Sequence, residues 1–342
     1  MSPPEKTPTL EDVARLADVS TATVSRCLNF PTKVSEKTRE KVMGAVDALG
    51  YMPHFGARAM AARRTFTIGA IIPTMDNTIF ARGIQAFQEE LQHLGYTLLV
   101  ASSTYKPDLE ADQVKSLVAR GADGLLLIGA ERDAETYDFL NRRGVPVLAA
   151  WAYDPLGAVS TIGFDNRAAM HDLTRAITKR GHRHIGVISG ILAGNDRASG
   201  RLKGIRDGLS DAGIDPTNLP VFETQYSIDN GAEALAQLLA TYPETTAVMC
   251  GNDVLAMGAL QKARDLGLNV PDDISITGFD DIELARVAHP GLTTVHVPHK
   301  EMGALAAQRL VDLIEGKGAR FDTRLDAPVV FRASLGPACP LP

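Results

Sequence analysis

The sequence is poor in features that mark exported and membrane proteins. No apolar run approaches the roughly 18 residues that a membrane span needs, and the N-terminal string MSPPEKTPTL has no apolar signal core. The three cysteines, Cys27, Cys250 and Cys339, are widely spaced and odd in number. They favour reduced thiols over a disulfide framework or a CxxC metal site. We therefore expect a cytoplasmic protein without membrane contact.

Catalytic motifs are also lacking. The chain has no GxxxxGK[ST] phosphate loop, no strand-linked GxGxxG and no GxSxG elbow. The string HRH at 182–184 alternates across the start of a predicted strand, which makes it a poor metal pair and a better anchor for that strand. We expect no cofactor, no metal and no enzymatic activity.

Charge is unevenly distributed along the 342 residues. The formal net charge is −6, yet residues 1–65 carry ten Lys and Arg against seven Asp and Glu, whereas the remainder carries 25 against 34. A basic segment on an acidic body concentrates attraction for phosphate at one end. An excess of basic residues this small also arises by chance. The charge distribution is therefore only supporting evidence for a nucleic-acid partner.

The segment 9–29, TLEDVARLADVSTATVSRCLN, predicts two short helices joined by a tight turn. Apolar residues at helical spacing form one stripe on the first helix, and Val24 and Leu28 face it from the second. Ser20 is a natural N-cap for the second helix. A third helix is predicted over 36–49, capped by Ser35 and ended by Gly50. The simplest alternative is an ordinary helical hairpin.

The second helix leaves small polar groups and one arginine pointing outward, as suits a helix in a DNA major groove. We expect Thr21, Ala22 and Arg26 to face base edges, with Arg26 on guanine and the two short side chains against thymine methyl groups. Ser20, Thr23 and Ser25 are expected to contact phosphates or to support packing.

From Phe66 the sequence alternates between apolar strands and amphipathic helices, the rhythm of a parallel sheet covered on both faces. Predicted strands cover 66–72, 97–101, 124–128, 145–150, 184–189, 221–224, 246–250, 274–278 and 293–297, with short ones near Phe321 and Val329. Predicted helices include 79–94, 168–180, 199–212, 231–240, 253–266 and 300–315. Ligands of such sheets bind beyond the carboxyl ends of the strands.

Several strings occur together in one order along the chain. They are DVA…VS…TVSR…N in 9–29, PTMDN (73–77), GHRHIG (181–186), RLKGIRDGL (201–209), GNDVLAMGAL (251–260), VPDDISITGFDD (270–281) and TTVHVP (293–298). In these the sequence resembles the lactose/galactose repressor family over nearly its whole length. The resemblance implies an α/β two-lobed, type I periplasmic-binding-protein-like body with an N-terminal all-α helix-turn-helix head.

The implied domains are a head over 1–52, a hinge helix over 53–65 and two lobes. The first lobe combines 66–163 with 294–324, and the second combines 164–292 with 325–336. By resemblance, Asn29, Ala57 and Met60 join the DNA contacts, and Met60 stands where relatives insert a leucine into the minor groove. The alternative for 53–65, which is Ala-rich and carries three arginines, is a flexible basic linker.

Polar residues follow the apolar strands where a cleft between two lobes would form. They are Asp76, Asn77, Asp165, Asn166, Arg201, Asn252, Asp253, Asp280 and Asp281. By resemblance, an effector binds at Asp165, Arg201, Asn252 and Asp280, with Phe80 as a stacking wall, and Asp76 is a further candidate because it follows the first strand. The alternative is helix capping for each Asp or Asn and a surface salt bridge for Arg201.

The strings YKPDLEADQ (105–113), TIGFDN (161–166) and ITKRGHRHIG (177–186) look most like the gluconate-type regulators of the family. This implies a sugar acid, gluconate or a ketogluconate, whose carboxylate Arg201 would pair bidentately. Arg82, Lys106 and His296 are further candidate cations, and solvated surface charge is the alternative for each.

The expected function is that of a homodimeric transcriptional repressor, with a tetramer as the alternative. Its double-stranded operator would be nearly palindromic because a two-fold dimer imposes its symmetry on the DNA. Effector binding is expected to release the DNA. Alternatives are a neutral sugar effector, a corepressor, a sugar-transport receptor, and an enzyme with Asp165 and Asp280 as acid and base.

Overall fold

The computed structural model describes residues 7–29, 31–52, 64–75 and 78–338. They form two compact units, Met1–Phe66 and Thr67–Pro342. Residues 53–63 of the predicted hinge, with Ala57 and Met60, lie outside the described residues, as do Asp76, Asn77 and the side chain of Asn29.

The N-terminal unit contains the three predicted helices, α1 (Leu10–Leu16), α2 (Thr21–Asn29) and α3 (Glu36–Leu49). They pack around a small core that includes Val13, Val24, Val42 and Tyr51. The helix-turn-helix prediction is confirmed.

Local side-chain bonds fix the ends of these helices. Thr9 and Asp12 form a reciprocal capping box at α1, and Ser35 accepts the Thr38 N–H at α3. Gly50 ends α3 in the left-handed region at φ 59°, where glycine carries no Cβ penalty. These caps satisfy backbone donors and acceptors that a helix cannot pair internally.

The first lobe of the second unit is built on a six-stranded parallel sheet in the order β11-β5-β4-β3-β1-β2. The strands are β1 (Thr67–Ile72), β2 (Thr97–Ser102), β3 (Gly124–Ile128), β4 (Val147–Ala150), β5 (Ser160–Gly163) and β11 (Asp322–Arg324). The helices are α4 (Thr78–His93), α5 (Pro107–Ala119), α6 (Ala134–Arg143) and α12 (His299–Ile314). β1, β3 and β4 are buried throughout, as expected for parallel strands covered on both faces.

The second lobe is built on a four-stranded parallel sheet in the order β7-β6-β8-β9. Its strands are β6 (Ile185–Gly190), β7 (Val221–Thr224), β8 (Ala247–Cys250) and β9 (Ser275–Thr277). Its helices are α7 (Asn166–Thr178), α8 (Asp196–Asp211), α9 (Ile228–Thr241), α10 (Asp253–Asp265) and the short α11 (Glu283–Val287). Strands β10 (Thr294–Val295) and β12 (Val329–Val330) form a separate antiparallel pair where the chain passes between the two lobes.

The architecture confirms the α/β two-lobed prediction, while several boundaries differ. Helix α8 begins at Asp196, not at residue 199, because Asn195 caps it by accepting the Ala198 N–H. Strand β5 was not predicted, since its sequence STIG carries a single large apolar residue. Within the described ranges, no helix has the length and apolar character needed to cross a bilayer.

Candidate functional site

Helix α2 separates buried from outward-facing side chains. Val24 and Cys27 are buried in the head core, and Thr21, Ala22 and Arg26 are exposed. Thr23 and Ser25 are half-buried. The three residues predicted to read base edges are therefore brought together on one accessible face.

Ser20 has a structural role at the start of this helix. Its Oγ accepts the Thr23 N–H at 3.2 Å and lies 2.9 Å from the Thr23 Oγ1. The capping prediction for Ser20 is thus confirmed, and any phosphate contact would be a second role for the same hydroxyl.

A narrow cleft lies between the two lobes of the second unit. Its cavity has a volume of about 30 Å³, room for about two water molecules. Four predicted effector residues line it together: Phe80, Arg201, Asn252 and Asp280. The other lining residues are Ile79, Tyr105, Trp151, Phe164, Asn195, Arg197 and Tyr226.

Arg201 is held by contacts on several sides of its guanidinium. Nη1 donates to Asn166 Oδ1 at 3.0 Å, and Nη2 donates to the Tyr226 hydroxyl at 3.3 Å. Its Cζ stacks 4.8 Å from the Phe279 ring centroid. Nε is buried and has no hydrogen-bond partner among the described residues, so a donor is available to a ligand acceptor.

Asn252 and Asp253 are neighbours in sequence but have different surroundings. Asn252 Oδ1 caps α10 by accepting the Leu255 N–H at 2.9 Å, and its buried Nδ2 finds no partner in the part of the chain that the structure describes. Asp253 turns inward, where its carboxylate accepts from the Ile282 N–H at 2.8 Å and from the Thr294 hydroxyl at 2.6 Å. Burial raises the pKa of Asp253 to about 7.

Asp280 places a buried carboxyl opposite Arg201. Its backbone adopts φ 106°, a conformation that non-glycine residues rarely take, and its N–H donates to Val295 O at 3.0 Å. Burial raises the pKa of Asp280 well above its ordinary value, although Arg201 and Arg197 oppose the shift. Desolvation thus favours a neutral carboxyl beside two guanidinium groups.

Trp151 and Phe80 form the aromatic wall of the cleft, with ring centroids 5.5 Å apart. Trp151 Nε1 donates to His299 Nδ1 at 3.2 Å, and the other ring nitrogen lies 3.3 Å from Asp280 O. His299 therefore carries its proton on Nε2. Burial lowers the pKa of His299 to about 4, which keeps the imidazole neutral.

Comparisons with known proteins match both the N-terminal unit and the larger second unit. A model of the lacI family of bacterial regulatory proteins matches residues 9–54, and a model of periplasmic binding protein-like domains matches residues 174–335. The regulator GntR of Escherichia coli (strain K12) is 34% identical over 313 residues, covering 92% of this chain and 94% of the relative. The ribose operon repressor of Haemophilus influenzae is 34% identical over 330 residues, covering 96% and 98%.

A crystal structure of the lac repressor dimer bound to operator and the anti-inducer ONPF superimposes with a TM-score of 0.86. The two chains are 27% identical, and the match covers 97% of this chain and 100% of the other. This chain belongs to the lacI family.

As a lacI-family member, the chain is a DNA-binding transcriptional repressor and not an enzyme. The enzyme alternative used Asp165 and Asp280 as acid and base; of the two, Asp280 lines the cleft cavity. Asp165 caps α7 by accepting the Ala168 N–H at 2.9 Å and lines a neighbouring cavity of about 520 Å³. Asp165 therefore has a capping role, and an effector contact by the same residue stays a prediction.

The three further candidate cations also lie away from the cleft lining of this lacI-family repressor. Arg82 pairs with Glu283, His296 lies 2.9 Å from Asp281, and Lys106 is exposed at the start of α5. The anchoring role predicted for the HRH string is confirmed at His182, which is buried and bonds Thr246 Oγ1 at 3.0 Å. Across the described residues, no His, Cys, Asp and Glu group is arranged to hold a metal ion.

Sequence reasoning missed Arg197 and the two tyrosines of the cleft. Arg197 lies one helical turn before Arg201 on α8, and this i, i+4 spacing could have indicated a second cation on the same face. Tyr105 and Tyr226 come from opposite lobes, and their ring centroids are 5.7 Å apart. No local pattern in the sequence connects these two positions.

Proposed function

We propose that the chain acts as a homodimer that binds a nearly palindromic operator through α2 and represses an operon for sugar-acid catabolism. In this proposal Thr21, Ala22 and Arg26 contact base edges, and Ser20, Thr23 and Ser25 contact the backbone. Support comes from the exposed face of α2 and from the family's dimeric, operator-bound structure. Asn29, Ala57 and Met60 remain proposed DNA contacts that rest on the resemblance.

We propose gluconate or a ketogluconate as the effector of the interlobe cleft. The observation that carries this is the charge balance: Arg197 and Arg201 both line the cavity, while the facing Asp280 has a raised pKa and His299 is neutral. Such a cleft attracts an anion. Arg201 Nε and Asn252 Nδ2 supply unpaired donors for the carboxylate and hydroxyl groups.

In the same proposal, Asp280 accepts from sugar hydroxyls and Phe80 covers one face of the ligand. Asp76, which lies outside the described residues, and Asp165, which also caps α7, stay proposed contacts. A cavity of about 30 Å³ is smaller than a ligand pocket of roughly 300 Å³ or more. Binding a sugar acid therefore requires the lobes or the tyrosines to move, which connects occupancy to lobe arrangement.

The test is calorimetric titration of the full chain with gluconate and 2-ketogluconate, alongside ribose and a purine base. Tighter binding of the acids supports the proposal, and tighter binding of ribose or the purine refutes the effector class. Operator fragments come from selection on a random duplex library. Their affinity is then measured with and without saturating acid: a fall supports induction, and a rise identifies a corepressor.

A further inference from the structure

The loop that follows β3 in the first lobe contacts the first turn of α8 in the second lobe. Asp196 Oδ2 accepts the Ala130 N–H at 2.6 Å and the Glu131 N–H at 3.4 Å. Arg197 Nη1 donates to Ile128 O at 2.9 Å. One carboxylate and one guanidinium of the second lobe thus bond the backbone of three residues within the first-lobe segment 128–131.

The two residues on α8 also bond each other. Asp196 Oδ1 accepts from the Arg197 N–H at 2.9 Å and from Arg197 Nη1 at 3.0 Å. Their side chains are 24% and 10% exposed, respectively. At this degree of burial, charge-assisted hydrogen bonds are screened less than at the surface.

The receiving loop is fixed to its own lobe. Arg132 bonds Gly129 O and donates to Ile128 O at 3.0 Å, and the Tyr137 hydroxyl donates to Ala130 O at 2.7 Å. The Gly129 N–H donates to Ala150 O at 2.8 Å. The contact with α8 therefore joins two firmly held elements, so it constrains the lobes.

The close approach of the 128–131 loop to helix α8 depends on the absence of a side chain at Gly129. This glycine adopts φ 78°, and a Cβ at this position would overlap Arg197 Nη1 and Asp196 Oδ1. Any larger residue would be strained in its backbone and would separate the loop from α8.

Arg197 connects this contact to the cleft, because its side chain lines the cavity that Arg201, Asn252 and Asp280 also line. We propose that Asp196 is a positioning residue that latches the two lobes through the 128–131 loop. An anionic ligand that pairs with Arg197 competes with Asp196 and loosens this latch. The latch stands on the bonds above, and only its release by an anion rests on the proposed function.

Amide hydrogen exchange tests the latch directly, because the Ala130 and Glu131 N–H groups donate to Asp196. In full-length protein we expect Asp196→Ala to speed exchange in the 128–133 segment by about tenfold or more. Asp196→Asn keeps one acceptor oxygen and is expected to fall between Asp196→Ala and the unaltered protein. Asp207→Ala is the matched control, since Asp207 lies half-buried on α8 and pairs with Arg167 of its own lobe.

A second pair of variants opens the latch from the other lobe without changing charge. Gly129→Ala is expected to reproduce the faster exchange. Gly144→Ala carries the same left-handed backbone cost, at φ 65° and with open space around it, and is expected to leave the segment protected. Unchanged exchange in both Asp196→Ala and Gly129→Ala would overturn the latch.

Hydrogen exchange measured with bound ligand distinguishes the latch proposal from the effector proposal. Gluconate at saturation is expected to speed exchange at 128–133 in the unaltered protein and to add little in Asp196→Ala, while ribose does neither. Bound gluconate that slows this exchange would refute release by an anion, with the effector proposal intact. If neither acid binds, both the effector proposal and the proposed release of the latch by an anion are refuted. The latch itself is then tested by the Asp196 and Gly129 variants alone.

Discussion

In helix α2, structural roles and proposed binding roles fall on different side chains, whereas in the interlobe cleft they fall on the same ones. On α2, Val24 and Cys27 hold the head core while Thr21, Ala22 and Arg26 face outward. In the cleft, single side chains do both kinds of work. Asn252 caps a helix with its oxygen while the residue lines the cavity, and Arg201 packs on Phe279 while it lines the cavity.

The difference has a consequence for mutation. On a helix with separate faces, a reading residue can be removed without loss of core contacts, so binding and stability change independently. In the cleft, most substitutions disturb a buried bond, so stability and ligand affinity are expected to change together. Single substitutions in the two regions can therefore separate binding from stability on α2 but, at most positions, not in the cleft.

Arg201→Ala is expected to lower effector affinity by about 100-fold, because it removes a buried charged donor from the ligand. It also removes the bonds to Asn166 and Tyr226 and the cation that faces Asp280, so the melting temperature falls as well. Arg206→Ala, an exposed change on the same helix, is the control. Calorimetry and thermal melting measure the two effects; a variant with lost affinity and an unaltered melting temperature would contradict the shared role.

Arg26→Ala is expected to weaken binding to the selected operator by about 10- to 100-fold, the range of a good base contact. Its melting temperature should match that of the unaltered protein, because Arg26 is exposed on α2. Fluorescence anisotropy with specific and random duplexes gives the affinities. Arg39→Ala on α3 removes an equal charge near Glu36 and controls for general phosphate attraction. Equal losses on both duplexes would show that Arg26 contacts phosphate and not bases.

The head was predictable from sequence because its determinants are local. Helical spacing located the buried stripe, and Ser20, Ser35 and Gly50 marked ends that the structure confirms through their own caps. The capping bonds at these positions form within four residues along the chain. Such local patterns can be recognised in the sequence without knowledge of the rest of the fold.

The cleft was only partly predictable because its partners are far apart in sequence. The ends of strands β8 and β9 indicated Asn252 and Asp280, since the carboxyl ends of parallel strands meet at one edge. Arg201 meets Asn166 across 35 positions, and Trp151 meets His299 across 148. Nothing near Tyr105 or Tyr226 signals their contact. The capping bond of Asp165, by contrast, forms only three residues away, at Ala168.

The buried carboxyl of Asp253 is expected to make the stability of the second unit depend on pH. In the unfolded chain an Asp ionises near pH 4, whereas burial raises the pKa of Asp253 to about 7 in the folded protein. The folded state therefore holds more protons between these values, so stability falls as pH rises through this window. In Asp253→Asn the fall is expected to be shallower, by less than about 1.4 kcal/mol per pH unit.

Melting temperatures of the body from pH 4 to pH 8 measure this slope. Asp265→Asn, at the exposed end of the same helix, is the control. Part of the slope remains in Asp253→Asn because the pKa of Asp280 is also raised by burial. Parallel curves for Asp253→Asn and the unaltered protein would show that Asp253 does not titrate in this range.

Asn252→Ser separates the two roles of one cleft residue. Serine keeps an oxygen that can accept the Leu255 N–H and is itself a favoured N-cap, so the melting temperature should change little. It removes the amide nitrogen that lacks a partner among the described residues, and with it one donor to the ligand. We expect effector affinity to fall by about two- to tenfold, the worth of one neutral hydrogen bond. Asn252→Ala, which lacks both groups, should lose affinity and stability together; if serine behaved like alanine in melting, the cap would depend on the amide and the division of roles within Asn252 would fail.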